Sequence, residues 1–480
     1  MPTAPSPALL ERLRNVVGPA GFLDQPADME PFLTDHRKLF RGVTPLVLRP
    51  ASTAEIAAIL TLCNEAHVGV VPIGGNTGYC GGATVSPDNS QVLLSLQRMR
   101  RIRSVDPLNY VLIAEAGCTL AEVQNAATEA GRFFPLSLGS EGSCQIGGNL
   151  STNAGGTAVI RYGMARDLVL GLEVVMPDGR VLDGLKTLRK DNTGYDLRHL
   201  FIGAEGTLGI ITAAACKLFP APVSVATAFI GVRDPQAAVE LLASLRAASG
   251  DNVTTFELLP RAALEMVLEH VPNTTDPLDG QHAWYVLAEV TTSQHVAALS
   301  EIVATSLASA MEQGLVTDAA LAQNEAQREK LWHIRETVPQ AERKCGASIK
   351  HDISVPITAI PEFIRSGTRI FHELVPDGRP ITFGHLGDGN LHFNVTEPRN
   401  TDPGAGRAAF QALAPTVNRA IHDLVQAHRG SISAEHGIGQ LKRAELQRYE
   451  GEVAIDVMQR IKRALDPNGI MNPGKVVPDL

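Results

Sequence analysis

An α+β architecture spread over more than one domain is what this sequence predicts, from three observations. The chain has 480 residues, more than one hydrophobic core serves, so two or three domains are expected. Segments of helical and strand periodicity are mixed in blocks of different character along it. Several strands run directly into loops dense in glycine, where bare backbone can approach a ligand closely.

The elements follow in order. Residues 45–110 read as a small α/β unit. Val47-Leu48 is a short strand, Ser52-x-x-Glu55 a capping box, and residues 56–66 have helical periodicity. Residues 68–73 form a second strand, a glycine-dense loop follows, and Val92-Leu93-Leu94-Ser95-Leu96 gives the next. Between 110 and 220 strand-like runs (110–115, 168–177, 209–215) are punctuated by glycine, with little helix over 149–166. From 225 to 325 amphipathic helices (237–248, 260–269) alternate with strands (227–232, 284–290), and a last basic amphipathic helix covers 455–467. Pro220-Ala221-Pro222 ends regular structure. The expected division is a domain over 1–222, a second over 223–435, and a C-terminal segment, 436–480, returning to the first.

Composition excludes several classes. Apolar residues make up 44% and charged residues 19% of the chain, as in an ordinary globular protein. No apolar run is long enough to span a bilayer. Met1-Pro2-Thr3-Ala4-Pro5 has neither a basic head nor an apolar core, so cytoplasmic residence is expected. A net charge of −9 argues against nucleic acid. The six cysteines show no CxxC and read as reduced thiols.

The run Phe383-Gly384-His385-Leu386-Gly387-Asp388-Gly389-Asn390-Leu391-His392-Phe393-Asn394 sets a Gly-Asp-Gly-Asn centre between two apolar arms, a hairpin signal. A turn centred on Asp388 and Gly389 makes His385 and His392 direct cross-strand partners, with Asn394 on the same face. Two imidazoles so held are either a metal site lacking its third ligand or two sheet histidines bonded to their neighbours, the commoner case for such a pair taken alone.

Three glycine loops accompany it. Gly74-Gly75-Asn76-Thr77-Gly78-Tyr79-Cys80-Gly81-Gly82 follows a strand, and its N–H groups can form a nest for an anion such as pyrophosphate. It is neither G-x-G-x-x-G nor a P-loop. The segment from Gly139 to Gly156 (GSEGSCQIGGNLSTNAGG) is almost free of bulky side chains, which suits a long polyphosphate ligand. Gly203-Ala204-Glu205-Gly206-Thr207-Leu208-Gly209-Ile210-Ile211 is the third.

In this order the loops resemble the flavin domain of the vanillyl-alcohol-oxidase type. Asn192-Thr193-Gly194-Tyr195-Asp196-Leu197 and Asn472-Pro473-Gly474-Lys475 extend the resemblance to its FAD-dependent D-2-hydroxyacid dehydrogenase branch, from about Phe32 to the C-terminus. The resemblance implies FAD between two α+β subdomains, and a ferredoxin-like cap domain placing substrate against the isoalloxazine. Gly75, Asn76, Thr77, Gly78, Ser143, Gly147, Gly148, Asn153, Gly156, Glu205, Gly206 and Ile211 are the residues expected to hold the cofactor. Some relatives attach flavin covalently through a histidine in the first loop. Asn76 stands at that place, so non-covalent FAD is expected.

Glu435, in Ser431-Ile432-Ser433-Ala434-Glu435-His436-Gly437, is the candidate third metal ligand. A strand over this run would expose Glu435 and His436 at its end, and two histidines plus one carboxylate form a common catalytic zinc set. Mn, Co or Fe suit the same donors. The family's metal-dependent members carry ligands at positions matching His385, His392 and Glu435. A metal chelated by a 2-hydroxyacid lowers the hydroxyl pKa, His436 is the candidate base for that proton, and the C2 hydride passes to flavin N5. Asn394 is expected to hydrogen-bond the substrate.

In the hydroxyglutarate-specific members an arginine, a threonine and a lysine hold the substrate carboxylate at positions matching Arg335, Pro339 and Lys350. Pro339 has no hydroxyl, so one hydrogen bond of that clamp is missing here. The expected reaction is oxidation of D-2-hydroxyglutarate to 2-oxoglutarate. D-lactate, glycolate and D-malate are rival substrates; a silent flavin-binding subunit and a metal-dependent hydrolase are rival functions. Expected partners are the 2-hydroxyacid, an acceptor such as an electron-transfer flavoprotein or quinone, and a second copy of the chain in a homodimer.

Overall fold

Local signals start and stop the helices. The Ser52 side chain accepts from Glu55 N–H and caps the helix Thr53–Glu65. Asp234 does the same for Pro235–Ser249, which has proline in its first turn and ends on Gly250 in the left-handed conformation. The computed structural model describes residues 3–295 and 299–478; Met1 and Pro2, part of the N-terminal stretch read above, lie outside them. It is an α+β protein of two compact units.

The first unit comprises residues 1–156, 163–221 and 435–480. It holds two main sheets. One has the order Phe22–Leu23, Val47–Leu48, Gln91–Ser95, Gly69–Ile73, with the last three strands parallel. The other is antiparallel throughout: Ile102–Asp106, Val111–Glu115, Ile210–Lys217, Val169–Val175, Val181–Gly184. Strands at the centre of each are buried end to end, as in Gln91–Ser95 and Ile210–Ala215, so they read as continuous apolar runs. The C-terminal segment joins the first sheet: Val70 N–H donates to Ile470 O, and Asn472 N–H to Val70 O, both at 2.8 Å.

The second unit comprises residues 157–162 and 222–434. Four antiparallel strands lie in the order Val316–Leu321, Ser224–Val232, Trp284–Thr292, Val253–Pro260. In chain order that is fourth, first, third, second, the ferredoxin-like arrangement, with the helices Pro235–Ser249 and Leu299–Glu312 between the strands. Phe229, Tyr285 and Phe383 are buried in its core, each worth about 1.5–3 kcal/mol of burial. The sheet continues through Arg379–His385 and Asn390–Thr396 to short strands at Ser348–Ile349 and Asp352–Ser354.

Two sequence expectations need correction. The hairpin pairs Phe383, not His385, with His392. Leu386–Asp388 makes a 3₁₀ turn closed by Gly389 in the left-handed region, so the connection is longer than a two-residue turn. The register is therefore displaced by two residues. Because side chains alternate with period two, that slip leaves both histidines on one face. Ser431–Glu435 is not a strand. After one bridge from Ser431 to Ser354, the Ser431 hydroxyl accepts from Ser433 N–H and bends the chain away.

Candidate functional site

In the second unit the hairpin face carries a closed circuit of side chains. The His385 and His392 rings stand 5.7 Å apart at 75°, and a nitrogen of one lies within 4.8 Å of a nitrogen of the other. His392 lies against Phe383 at 5.0 Å, and the Arg335 guanidinium sits 5.1 Å from the Phe383 ring centre. Arg335 Nε donates to Glu257 Oε2 at 2.8 Å, and Glu257 Oε1 lies 2.7 Å from His385 Nδ1. Glu257 closes the circuit. Its strand brings it opposite His385 in the sheet, and its side chain is fully buried. Burial alone would push its carboxyl up; electrostatic attraction to, and hydrogen bonds from, the His385 and Arg335 side chains outweigh that and hold it at about 2, below its ordinary 4.5.

No motif in the sequence singles out Glu257. The available signal was a lone carboxylate between Phe256 and Leu258 in an otherwise apolar strand. A buried charge there needs partners, and those partners are 78 and 128 residues away.

Arg335 and Pro339 lie on the helix Glu325–Lys344, capped by Asn324. One turn separates them, so a threonine at 339 would share Arg335's helix face. The proline supplies no hydroxyl and no N–H for the Arg335 carbonyl. Arg335 is buried, and its Nη groups have no hydrogen-bond partner among the described residues. Lys350, partly exposed, donates to Glu342 at 2.6 Å. Glu342 is buried, two turns on from Arg335, and also accepts from Asn394 Nδ2 at 3.2 and 3.3 Å. Asn394 was expected to reach substrate. In the structure its amide oxygen accepts from His351 N–H and its nitrogen donates to Glu342, so it also supports the carboxylate that pairs with Lys350.

In the first unit the three glycine loops meet. A Cβ on Gly75 would stand 2.0 Å from Ser143 O, so the first loop presses on the second through bare backbone. Glu205 N–H donates to Ser151 O and Gly203 N–H to Leu150 O, tying the third loop to the second. Asn76, at the place of the covalent histidine in relatives, donates to Thr34 O. Thr77 and Gly78 continue that loop; Gly147 and Gly148 lie in the helix Ile146–Ser151; Asn153 and Gly156 follow it. Gly206 packs on Pro72, and Ile211 is buried in its strand.

Two observations test these loops against FAD. A Cβ on Gly78 or Gly148 would meet nothing within 4 Å, so both present bare backbone to open space. Gln145 Oε1 and Asn149 Oδ1 are buried acceptors with no donor among the described residues. A ligand bringing hydroxyl and N–H donors, as FAD does, fits such a surface.

Glu205 was expected at the cofactor. Its carboxylate accepts from Ile438 N–H at 2.7 Å and Gly439 N–H at 2.8 Å. Burial pushes this carboxyl above its ordinary value, against those two hydrogen bonds. The Cys80 thiol donates to Gly437 O, and the Gln440 side chain to Gly81 O, so residues 437–440 are fastened to the first loop. That places His436 edge-on to Tyr79, ring centres 4.6 Å apart. Glu435 follows Ala434, whose N–H donates to Asp352 O, and Asp352 pairs with His392 in the sheet. The division between the units falls between Ala434 and Glu435.

Comparison with known proteins bears on this arrangement. Residues 221–476 match the family model "FAD linked oxidases, C-terminal domain", and residues 44–184 match "FAD binding domain". The chain is 38% identical over 465 residues to the D-2-hydroxyglutarate dehydrogenase, mitochondrial, of Arabidopsis thaliana, covering 97% of this chain and 80% of that protein. It is 36% identical over 467 residues to a putative mitochondrial D-lactate dehydrogenase of Schizosaccharomyces pombe, covering 94% of this chain and 85% of that one. Among solved structures, p-cresol methylhydroxylase superposes with a TM-score of 0.77 at 17% identity, over 98% of this chain and 96% of that one.

Proposed function

The chain belongs to the FAD-linked oxidases as an FAD-dependent D-2-hydroxyacid dehydrogenase, and we propose that it oxidises D-2-hydroxyglutarate to 2-oxoglutarate with the help of a divalent metal. The observation that carries the metal is the pair of imidazoles on one hairpin face, with a buried carboxylate on the far nitrogen of His385. Metal-binding histidines are oriented by such carboxylates. His385, His392 and Glu435 would hold the ion, zinc or another borderline metal. FAD, when bound, supplies a two-electron acceptor for the C2 hydride, and the metal a Lewis acid that acidifies the 2-hydroxyl.

The chain's own residues do the rest. Gly75, Asn76, Thr77, Gly78, Ser143, Gly147, Gly148, Asn153, Gly156, Glu205, Gly206 and Ile211 would hold FAD non-covalently, and the Glu205 carboxylate would also keep the C-terminal segment beside the first loop. His436 would take the hydroxyl proton. Arg335 and Lys350 would bind the distal carboxylate, Arg335 through the Nη groups that Glu257 leaves available. The electron acceptor is proposed as an electron-transfer flavoprotein or a quinone, and the assembly as a homodimer. Among the described residues no helix is long and apolar enough to cross a membrane. The proposal keeps cytoplasmic residence, although relatives are mitochondrial by name.

D-lactate is the second reading, supported by Pro339 and by the likeness to the fission-yeast protein. Dye-linked assays on D-2-hydroxyglutarate, D-lactate, D-malate and glycolate separate the two. The proposal expects the highest kcat/KM on D-2-hydroxyglutarate. A higher value on D-lactate would overturn the dicarboxylate assignment.

A further inference from the structure

We propose that Glu257 is a positioning residue that serves two groups at once: it fixes the tautomer in which His385 offers Nε2 to the metal, and it orients the Arg335 guanidinium for the distal carboxylate of the substrate. The inference rests on the metal and substrate roles proposed above.

The geometry leads there directly. Glu257 lies in the middle of a buried strand and its side chain has no exposed surface. A carboxylate at such a place is costly unless it is paired and hydrogen-bonded. Its two oxygens go to two different partners: Oε1 to His385 Nδ1 at 2.7 Å, and Oε2 to Arg335 Nε at 2.8 Å. Arg335 is always a cation, which keeps its partner ionised, and an ionised carboxylate only accepts. The His385 Nδ1 facing it must therefore carry a proton, so Nε2 keeps the lone pair a metal requires. On the other side, a guanidinium held at Nε and laid over Phe383 cannot turn about its stem. Its four Nη protons then keep one plane, as pairing with a second carboxylate demands.

A glutamine at 257 has the right size but matches only one partner. With its oxygen toward His385 its NH2 meets the Arg335 donor; with its oxygen toward Arg335 its NH2 meets Nδ1 and favours the tautomer that blocks Nε2. One substitution should therefore weaken both the metal and the dicarboxylate.

The test uses purified FAD-loaded protein: wild type, His385→Ala, Glu257→Gln, Arg335→Met, and the double variant Glu257→Gln/Arg335→Met. Zn²⁺ affinity is read by competition with a chromogenic chelator, alongside thermal melting and KM for D-2-hydroxyglutarate and D-lactate. Glu257→Gln should bind Zn²⁺ about 10–100-fold more weakly, the range seen for such supporting carboxylates. Its KM should rise about tenfold or more for D-2-hydroxyglutarate and much less for D-lactate. Arg335→Met should reproduce the KM effect and, because Glu257 then loses one of the groups that keep it ionised, weaken Zn²⁺ binding less than Glu257→Gln does. If Glu257→Gln does not fold, the double variant, which removes the unpaired buried cation, carries the measurement: its Zn²⁺ affinity should fall several-fold below that of Arg335→Met. A lower melting temperature with unchanged Zn²⁺ affinity would mean a merely structural carboxylate and overturn the inference alone. Wild type binding Zn²⁺ no better than His385→Ala would overturn the metal reading and the inference with it.

Discussion

At the scale of single residues, two buried cations give opposite predictions. Arg335 is paired with Glu257, and its Nη groups are proposed to meet substrate. Arg335→Ala should raise KM for D-2-hydroxyglutarate by about 10–100-fold, the value of one lost charge-assisted pairing, and leave KM for D-lactate nearly unchanged. Equal losses on both substrates would contradict its role. The same change strands Glu257 and should lower stability by about 3–5 kcal/mol, measurable in denaturant. Lys475 is the converse case. Burial pushes its ammonium down from an ordinary 10.5 to about 8, with the Arg443 charge acting in the same direction. Between pH 8 and 10.5 the unfolded chain thus holds more protons than the folded one, and stability from this group rises with pH. Lys475→Met should stabilise the protein at pH 7, by at most about 3 kcal/mol, and the gain should shrink as pH approaches 10.5. A variant no more stable than wild type at pH 7 would contradict this.

At the scale of elements, the glycine loops divide into positions that the chain itself fills and positions left open. Gly75→Ala would drive a Cβ onto Ser143 O, so the apoprotein should melt lower and the loaded protein should lose flavin as well. Gly78→Ala meets nothing in the protein, so the apoprotein should melt as wild type while FAD affinity falls about tenfold or more. Flavin absorbance after gel filtration, with melting of the stripped protein, reads both. Full flavin retention in Gly78→Ala would place the cofactor elsewhere. These loops were legible because glycine runs after strands are local patterns. The hairpin was legible for the same reason, and its two-residue slip was harmless because the period of a strand is two. The turn itself was not, since Asp388 and Gly389 suit both a two-residue loop and the longer 3₁₀ connection that forms. Ser431–Glu435 misled because its apolar alternation says nothing of the Ser431 hydroxyl that bends it.

At the scale of the whole molecule, the α+β class and its ferredoxin-like sheet could be read from the chain, and so could the positions of the candidate ligands. The carboxylates behind them could not. Glu257 meets His385 across 128 residues, and Glu342 meets Asn394 across 52. Such pairings are set by which strands and helices become neighbours, and no local period encodes that. They preorganise the candidate residues, because Arg335, Lys350 and His385 are each held by a buried anion. The central claim is that His385, His392 and Glu435 hold a metal needed for 2-hydroxyacid oxidation. It is tested most directly by metal content and dye-linked activity of FAD-loaded protein before and after EDTA, with ions added back, and by the same measurements on His392→Ala. The expected result is about one bound divalent ion per chain, loss of D-2-hydroxyglutarate oxidation with the ion, recovery when it is restored, and neither ion nor activity in His392→Ala. Full activity in metal-free protein with its flavin retained would contradict it.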